Sequence, residues 1–301
     1  MALTIHLGAH KTASTHLQQS LKVAQDALQA GGVFLADPSM LRDEGPIPLA
    51  QALAEGPGRA GDKASREALA RLRDACPHLL ISEENILGGT ARGKLFSPRG
   101  LIYPFAVRRV RQVIALAGGG PATLFLGLRD PASFLVSAFA LQLSFGNEIV
   151  LSDYLGGRNP ARLGWAGLVR RLAEIPEVAR LVVWRYEDYA ALRPQILAQM
   201  LPQDLARAVP DPAPANESLT QPGYLWFRRQ AMADSDADLR ILVQRARRRF
   251  PRSAGHPPLR LLGEAVHARS QAFYAAEIQR LRALPKVEFL EPAARRDQDD
   301  A

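Results

Sequence analysis

The stretch Leu3-Thr4-Ile5-His6-Leu7-Gly8-Ala9-His10-Lys11-Thr12-Ala13-Ser14-Thr15 decides the reading of the fold. Leu3 to Leu7 is a short apolar-rich run, and Gly8 to Ser14 is small and polar. From Thr15 onward, Leu17, Leu21, Ala24 and Leu28 recur at helical spacing until Gly31-Gly32 ends the pattern. The order is strand, loop, helix. A loop in that setting turns several backbone N–H groups and the positive end of a helix dipole toward one point, which suits a phosphate. Lys11 adds a point charge, and the hydroxyls of Thr12, Ser14 and Thr15 are candidate donors to phosphate oxygens. A Walker A loop carries Gly immediately before its Lys-Ser/Thr pair; His10 occupies that place, which disfavours an ordinary ATP or GTP loop. The plainer alternative is a polar loop that caps a helix through Thr12 or Ser14.

Further along, residues Asp37 to Lys63 are rich in Pro, Gly and charge and read as a mobile excursion, a candidate lid, rather than core. A helix over Ala64 to Ala75 leads to a buried strand, His78 to Ser82, that ends at Glu83-Glu84-Asn85. A basic helix over Phe105 to Ala117 and a Gly118-Gly119-Gly120-Pro121 break precede a third strand, Ala122 to Leu128, which ends at Arg129-Asp130-Pro131. A helix follows through Phe139, and a fourth strand covers Leu181 to Trp184, with Arg185-Tyr186-Glu187-Asp188 beyond it. Strands alternating with helices predict an α/β fold, a P-loop-like parallel sheet flanked by helices. Its ligand belongs at the carboxyl ends of the strands, where Gly8, Glu83, Arg129 and Glu187 emerge. The expected organisation is a single domain over 1–301, with a core from about 3 to 190 and a mainly helical C-terminal third from about 191 to 292. The Asp/Arg-rich tail from Ala293 is expected to fray.

With 301 residues and 47% hydrophobic content the chain can bury a full core. No apolar run approaches the roughly 18 residues of a membrane span, and the N-terminus lacks the pattern of a secretory signal, so the expectation is a cytoplasmic protein without an integral membrane segment. One cysteine, Cys76, forms no internal disulfide, and no Cys/His cluster has metal-ligand spacing, so no metal is expected. The net charge of +8 points to an anionic partner: a nucleotide, an acidic glycan, a membrane surface or nucleic acid. Composition assigns no oligomeric state.

Lys11, followed by Ser14-Thr15 opening the helix, resembles the first loop of the sulfotransferase family that uses 3′-phosphoadenosine 5′-phosphosulfate (PAPS), in its bacterial form. Two positions depart from that pattern: Ala13 stands where the family usually has Gly, and His16 where cytosolic members often have Trp. The resemblance implies that Lys11, Thr12, Ala13, Ser14 and Thr15 hold the 5′-phosphosulfate. Arg129 and, eight positions later, Ser137 match residues that bind the 3′-phosphate in this family, where a planar fork and a hydroxyl select the nucleotide over ATP. The alternative pairs Arg129 with Asp130 and turns Ser137 toward a neighbouring helix. Ile81-Ser82-Glu83-Glu84-Asn85 is similar to the family's Ser-Ser-Glu-like strand end and places its catalytic Glu on Glu84. Neighbours on a strand face opposite ways, so at most one of Glu83 and Glu84 faces the cleft, the alternative being that both are strand-end surface carboxylates or helix caps; His6, His10 and His16 are rival bases. The implied reaction moves a sulfuryl group from PAPS to a hydroxyl on a small-molecule or glycan acceptor without a metal. Arg185-Tyr186-Glu187-Asp188 is given a structural role.

The basic stretch Arg245 to Arg252 reads either as a solvated helix end or as a segment closing over the nucleotide or an acidic acceptor; the family's Arg-Lys-Gly signature is missing there. Two rival functions stay open. A P-loop nucleotide-dependent kinase lacks the second Gly and a clear Asp after an apolar strand. A basic nucleic-acid-binding module lacks aromatic residues interleaved with its arginines, so nucleic acid is not the expected partner.

Overall fold

Six parallel strands form one sheet in the order β2-β3-β1-β4-β5-β6: β1 Ala2–His6, β2 Val33–Ala36, β3 His78–Ser82, β4 Ala122–Leu128, β5 Val178–Arg185 and β6 Val287–Leu290. This is a computed structural model, and it describes residues 2–42, 44–147, 150–213 and 218–292. The expected fraying from Ala293 concerns residues outside that range.

Both faces of the sheet are covered by helices, so β3, β4 and β5 bury apolar residues on both sides, while β1 buries Leu3 and Ile5 on one face and the polar Thr4 and His6 on the other. With a side-chain period of two, Leu3 and Ile5 of β1, Leu79 and Ile81 of β3 and Leu124 and Leu126 of β4 fall on one face. Leu80, Phe125, Val182 and Trp184 fall on the other, where Leu17 and Leu21 of helix Ser14–Val23 cover them together with helix Tyr189–Met200. The first face packs against helices Ala60–Ala75, Ala106–Leu116 and Pro131–Ser144. The C-terminal helices Leu239–Arg249 and Glu264–Arg282 bury Val243, Ala246, Tyr274 and Leu281 in that same cluster.

Three expectations need correction. The excursion Asp37 to Lys63 is packed: Ile47, Leu49, Ala52 and Leu53 are buried in the core. Its Pro and Gly punctuate short helices, Pro38–Leu41 and Leu49–Glu55, the first capped by the Asp37 side chain accepting from the Ser39 and Met40 amides. Two strands were not foreseen, β2 and β6; both have four residues, too few to show a period. The helix that opens at the first loop breaks at Ala24 into Ser14–Val23 and Gln25–Ala30.

The chain crosses from β3, on one side of β1, to β4 on the other. Loops leaving the carboxyl ends of β1 and β4 therefore diverge and open a crevice at the switch point.

Candidate active site

A cleft of about 1300 Å³ lies at that point. The loop after β1 forms its floor. The Leu7 and Gly8 amides both donate to Phe125 O, and the Ala9 amide donates to Gly127 O, which ties the loop to β4. Gly8 has φ +42°, and a Cβ there would lie 2.1 Å from Ser14 Oγ, so glycine is required where the chain doubles back on its own helix. Lys11 and Ala13 both take left-handed backbone angles, φ 65° and 66°, which turns successive amides the same way. Among the described residues no hydrogen bond engages the N–H groups of Lys11, Thr12 or Ala13. Helix Ser14–Val23 starts there with Ala13 as N-cap and no side-chain cap, so its first amides point the same way, also without a partner from its own turn. Ser14 Oγ is buried and lacks a hydrogen-bond partner.

The predicted loop donors therefore divide. Lys11, Ala13, Ser14 and Thr15 line the cleft. Thr12 does not: its buried hydroxyl donates to Ala9 O and closes the loop from behind, fitting against Gly127. The Lys11 ammonium has no hydrogen bond or ion pair among the described residues. Burial, then Arg247 and Arg129, push its pKa down to about 8, with Glu84 acting in the opposite sense.

Arg129 leaves the end of β4. Its Nη1 donates to Lys11 O (3.0 Å), and its guanidinium lies 4.5 Å from the centre of the Tyr186 ring. Trp165 Nε1 donates to the Arg129 carbonyl (2.8 Å), and Arg129 Nε is buried without a partner. Asp130 is engaged elsewhere: it caps helix Pro131–Ser144 through the Ser133 amide and accepts from Ser270 Oγ (2.7 Å). Ser137 is buried on that helix and is not part of the cleft wall, because the helix is covered on nearly every side and eight residues carry this one into the core. Tyr186 and Glu187, expected to serve structure alone, do both: Glu187 accepts from the Asp130 amide (2.8 Å), and both residues line the cleft.

Glu83 and Glu84 separate because β3 ends at Ser82: Glu83 is extended and caps the 3-10 turn Glu84–Ile86, which Glu84 opens. Glu83 is buried and turned away, gripped by Arg42 through Nε (2.8 Å) and Nη2 (2.9 Å) while also accepting from the Asn85 amide (2.9 Å). Both its oxygens are engaged, and it does not line the cleft. Glu84 lines the cleft, accepting from Gln18 Nε2 (2.9 Å) and Arg42 Nη2 (2.9 Å). Burial pushes its carboxyl up, but His10, the Gln18 bond and Arg42 outweigh that and hold it below the usual range, so it is ionised at neutral pH. Gln18 stands one helical turn after Ser14, so a single helix fixes both the loop and this carboxylate.

The histidines are occupied. His10 Nδ1 meets Tyr103 OH (2.8 Å) and Nε2 meets Asn85 Oδ1 (3.2 Å); burial lowers its pKa. Asn85 Oδ1 can only accept, so His10 is the Nε2–H tautomer and its other nitrogen is spent on Tyr103. His6 bonds Ser82 Oγ (2.8 Å) inside the sheet, where burial pushes it down to about 4. His16 lies between Tyr189 OH (2.9 Å) and Pro212 O (2.8 Å).

Arg42, Lys94 and Arg193 join the cleft wall and were not foreseen; Arg247 joins it too, from the basic stretch read either as a solvated helix end or as a segment closing over the ligand, where no single residue stood out. Helical spacing does mark this one: Arg247 follows Val243 by four on helix Leu239–Arg249, on its buried side, whereas Arg245, Arg248 and Arg249 are exposed. Among the described residues the wall carries six Lys/Arg side chains against three carboxylates, an excess suited to a polyanion. No group of three His, Cys, Asp or Glu placed to hold a metal occurs among the described residues, and no helix there is long and apolar enough to cross a membrane.

No protein-family model matches the chain, and no curated protein does. Among solved structures it is similar to a sulfotransferase from Alicyclobacillus acidocaldarius, with 13% identity, 96% of this chain and 97% of that one covered, and a TM-score of 0.45. That likeness is too loose to bear on chemistry.

Proposed function

We propose that the protein is a sulfotransferase that takes a sulfuryl group from PAPS and passes it to a hydroxyl of a small-molecule or glycan acceptor. One observation carries the reading: the unengaged amides of Lys11, Thr12 and Ala13, the buried and unpartnered Ser14 hydroxyl and the free Lys11 ammonium all belong to one loop at the start of one helix. Such a cradle is matched to a tetrahedral oxyanion ester. Arg129, seated on Tyr186 at the edge of the same cleft with its Nε unpartnered, supplies the fork for the 3′-phosphate.

In the transfer the acceptor oxygen bonds to sulfur as the bond from sulfur to the 5′-phosphate oxygen breaks, and the electron pair leaves with the phosphate. Glu84 takes the acceptor proton; it is ionised, faces the cleft and is oriented by Gln18 and Arg42. Lys11 and the loop amides stabilise the charge that develops on the leaving phosphate, which needs no reorganisation because the backbone holds those donors in place. His10, with both ring nitrogens committed, holds the loop to Tyr103 and Asn85 rather than moving the proton.

The test is calorimetric titration with adenosine 3′,5′-bisphosphate beside ATP with Mg²⁺, on the wild type, Lys11→Ala and Arg129→Ala. Binding of the bisphosphate in preference to ATP, weakened by both substitutions, is the expected result. Preference for ATP, or no binding of either, would overturn the reading.

A further inference from the structure

Lys11 is within electrostatic reach of two arginines that arrive from different parts of the cleft. Arg129 comes from the end of β4, beside Tyr186 and Glu187. Arg247 comes from helix Leu239–Arg249, and its Nη2 donates to Ser144 Oγ (2.8 Å) at the end of the helix that carries Leu141 and Gln142 into the wall. Gln142 in turn donates to Thr90 Oγ1 (2.8 Å), so this end of the cleft is a braced surface rather than a loose rim. The Arg247 guanidinium has no carboxylate partner among the described residues, and its Nε is buried without an acceptor. Half-buried cations that repel one another along one cleft wall are unfavourable until an anion enters between them.

We propose that Arg247 is a catalytic residue, forming with Lys11 a two-cation clamp in which Lys11 holds the leaving 5′-phosphate and Arg247 the transferring sulfuryl group. This rests on the donor reading given above. The two phosphates engage the loop amides, Lys11 and Arg129. A sulfuryl group on the 5′-phosphate extends away from the loop into the rest of the cleft, whose wall Arg247, Gln142 and Glu84 also line. In the transfer Arg247 donates hydrogen bonds to non-bridging sulfuryl oxygens while sulfur changes partners, and it neither gains nor loses a proton.

Two ligands that differ by the sulfuryl group alone separate the roles. Calorimetry with adenosine 3′,5′-bisphosphate and with PAPS is run on the wild type, Arg247→Gln and Arg247→Lys, with turnover measured on any acceptor hydroxyl that the wild type sulfates. In Arg247→Gln the bisphosphate affinity is expected to stay within about threefold, whereas PAPS affinity falls about tenfold or more, the range of a charged hydrogen bond. Arg247→Lys recovers part of that loss. A loss confined to PAPS, with partial recovery when the positive charge is restored as Lys, is a change that a purely structural role would not produce. Equal loss for both ligands assigns Arg247 to the nucleotide and overturns the clamp; so does no loss for either. Failure of the wild type to bind the bisphosphate at all sinks the donor reading instead, and the two failures are therefore distinct.

Discussion

The loop after β1 and the arginine-rich helix Leu239–Arg249 deliver cations to one cleft by different physical routes. In the loop, Lys11 is placed by its chain neighbours: Gly8 permits the reversal, Thr12 closes the turn onto Ala9, and helix Ser14–Val23 begins three residues later. In the helix, four arginines stand among five consecutive residues, and the one that reaches the cleft is selected by which face packs on the core. Local chemistry sets the first placement; tertiary packing sets the second. It follows that changes in the loop act through backbone geometry, whereas changes in the helix act one side chain at a time.

The sharpest way to break this comparison lies at the strand next to the loop, where a carboxylate is joined to helix Ser14–Val23 through Gln18. Glu84→Gln keeps the shape and removes the carboxylate proposed as the base, so turnover should fall about 10²–10⁴-fold with donor affinity retained. Glu83→Gln should instead lower the melting temperature by a few degrees, because it weakens the bidentate bonds that a buried carboxylate accepts from Arg42. Steady-state kinetics and thermal melts on both variants decide the matter, and a fall in turnover of less than about threefold for Glu84→Gln would reject its role.

Next in size is the backbone of the loop itself. Gly8→Ala places a methyl group against Ser14 Oγ at a left-handed φ, and it should weaken bisphosphate binding about 100-fold as the cradle opens. Arg248→Ala, on the exposed side of the C-terminal helix, should change binding less than about twofold. Similar losses in the two variants would erase the distinction between backbone and side-chain control.

A smaller effect concerns pH. Lys11 titrates near 8 in the folded protein, below its usual value of 10.5. An anionic ligand prefers the charged form, so affinity is full below pH 8 and declines above it, by about tenfold at pH 9 relative to pH 7. Stability of the ligand-free protein runs the opposite way: the unfolded chain binds the proton more tightly, so the penalty of burying charged Lys11 is complete below pH 8 and is relieved between 8 and 10.5. Titrations at pH 7 and 9 and melts across the same range check both signs.

Smallest is Ala13→Gly. Ala13 holds φ 66° at the N-cap, a strain of about 1 kcal/mol that glycine removes, partly offset by the entropy glycine adds to the unfolded chain. A rise in bisphosphate affinity of a few-fold or less is expected, with little change in melting temperature; a large loss would mean that the methyl group packs against the ligand.

Much of the sheet was legible because the runs Leu3 to Leu7, His78 to Ser82 and Ala122 to Leu128 are short, rich in apolar residues and bounded by turn or helix signals, the mark of buried strands. Val33–Ala36 and Val287–Leu290 escaped because strand pairing at a sheet edge, and not their own pattern, makes them strands. The segment Asp37 to Lys63 was misread because Pro and Gly mark where the chain turns without saying whether the turns are buried; Arg42, which holds both carboxylates, went unnoticed with it.

By itself the sequence determined the strand–loop–helix around Lys11, the succession of elements that makes a parallel α/β sheet, and Arg129 and Glu84 at strand ends, since each follows from period and spacing along a few residues. Only the tertiary structure decided that Glu83 and Thr12 turn away, that Ser137 is buried, and that Arg42, Arg193 and Arg247 come to the cleft. Those outcomes depend on which face of an element meets the core, and that is settled by neighbours far away along the chain.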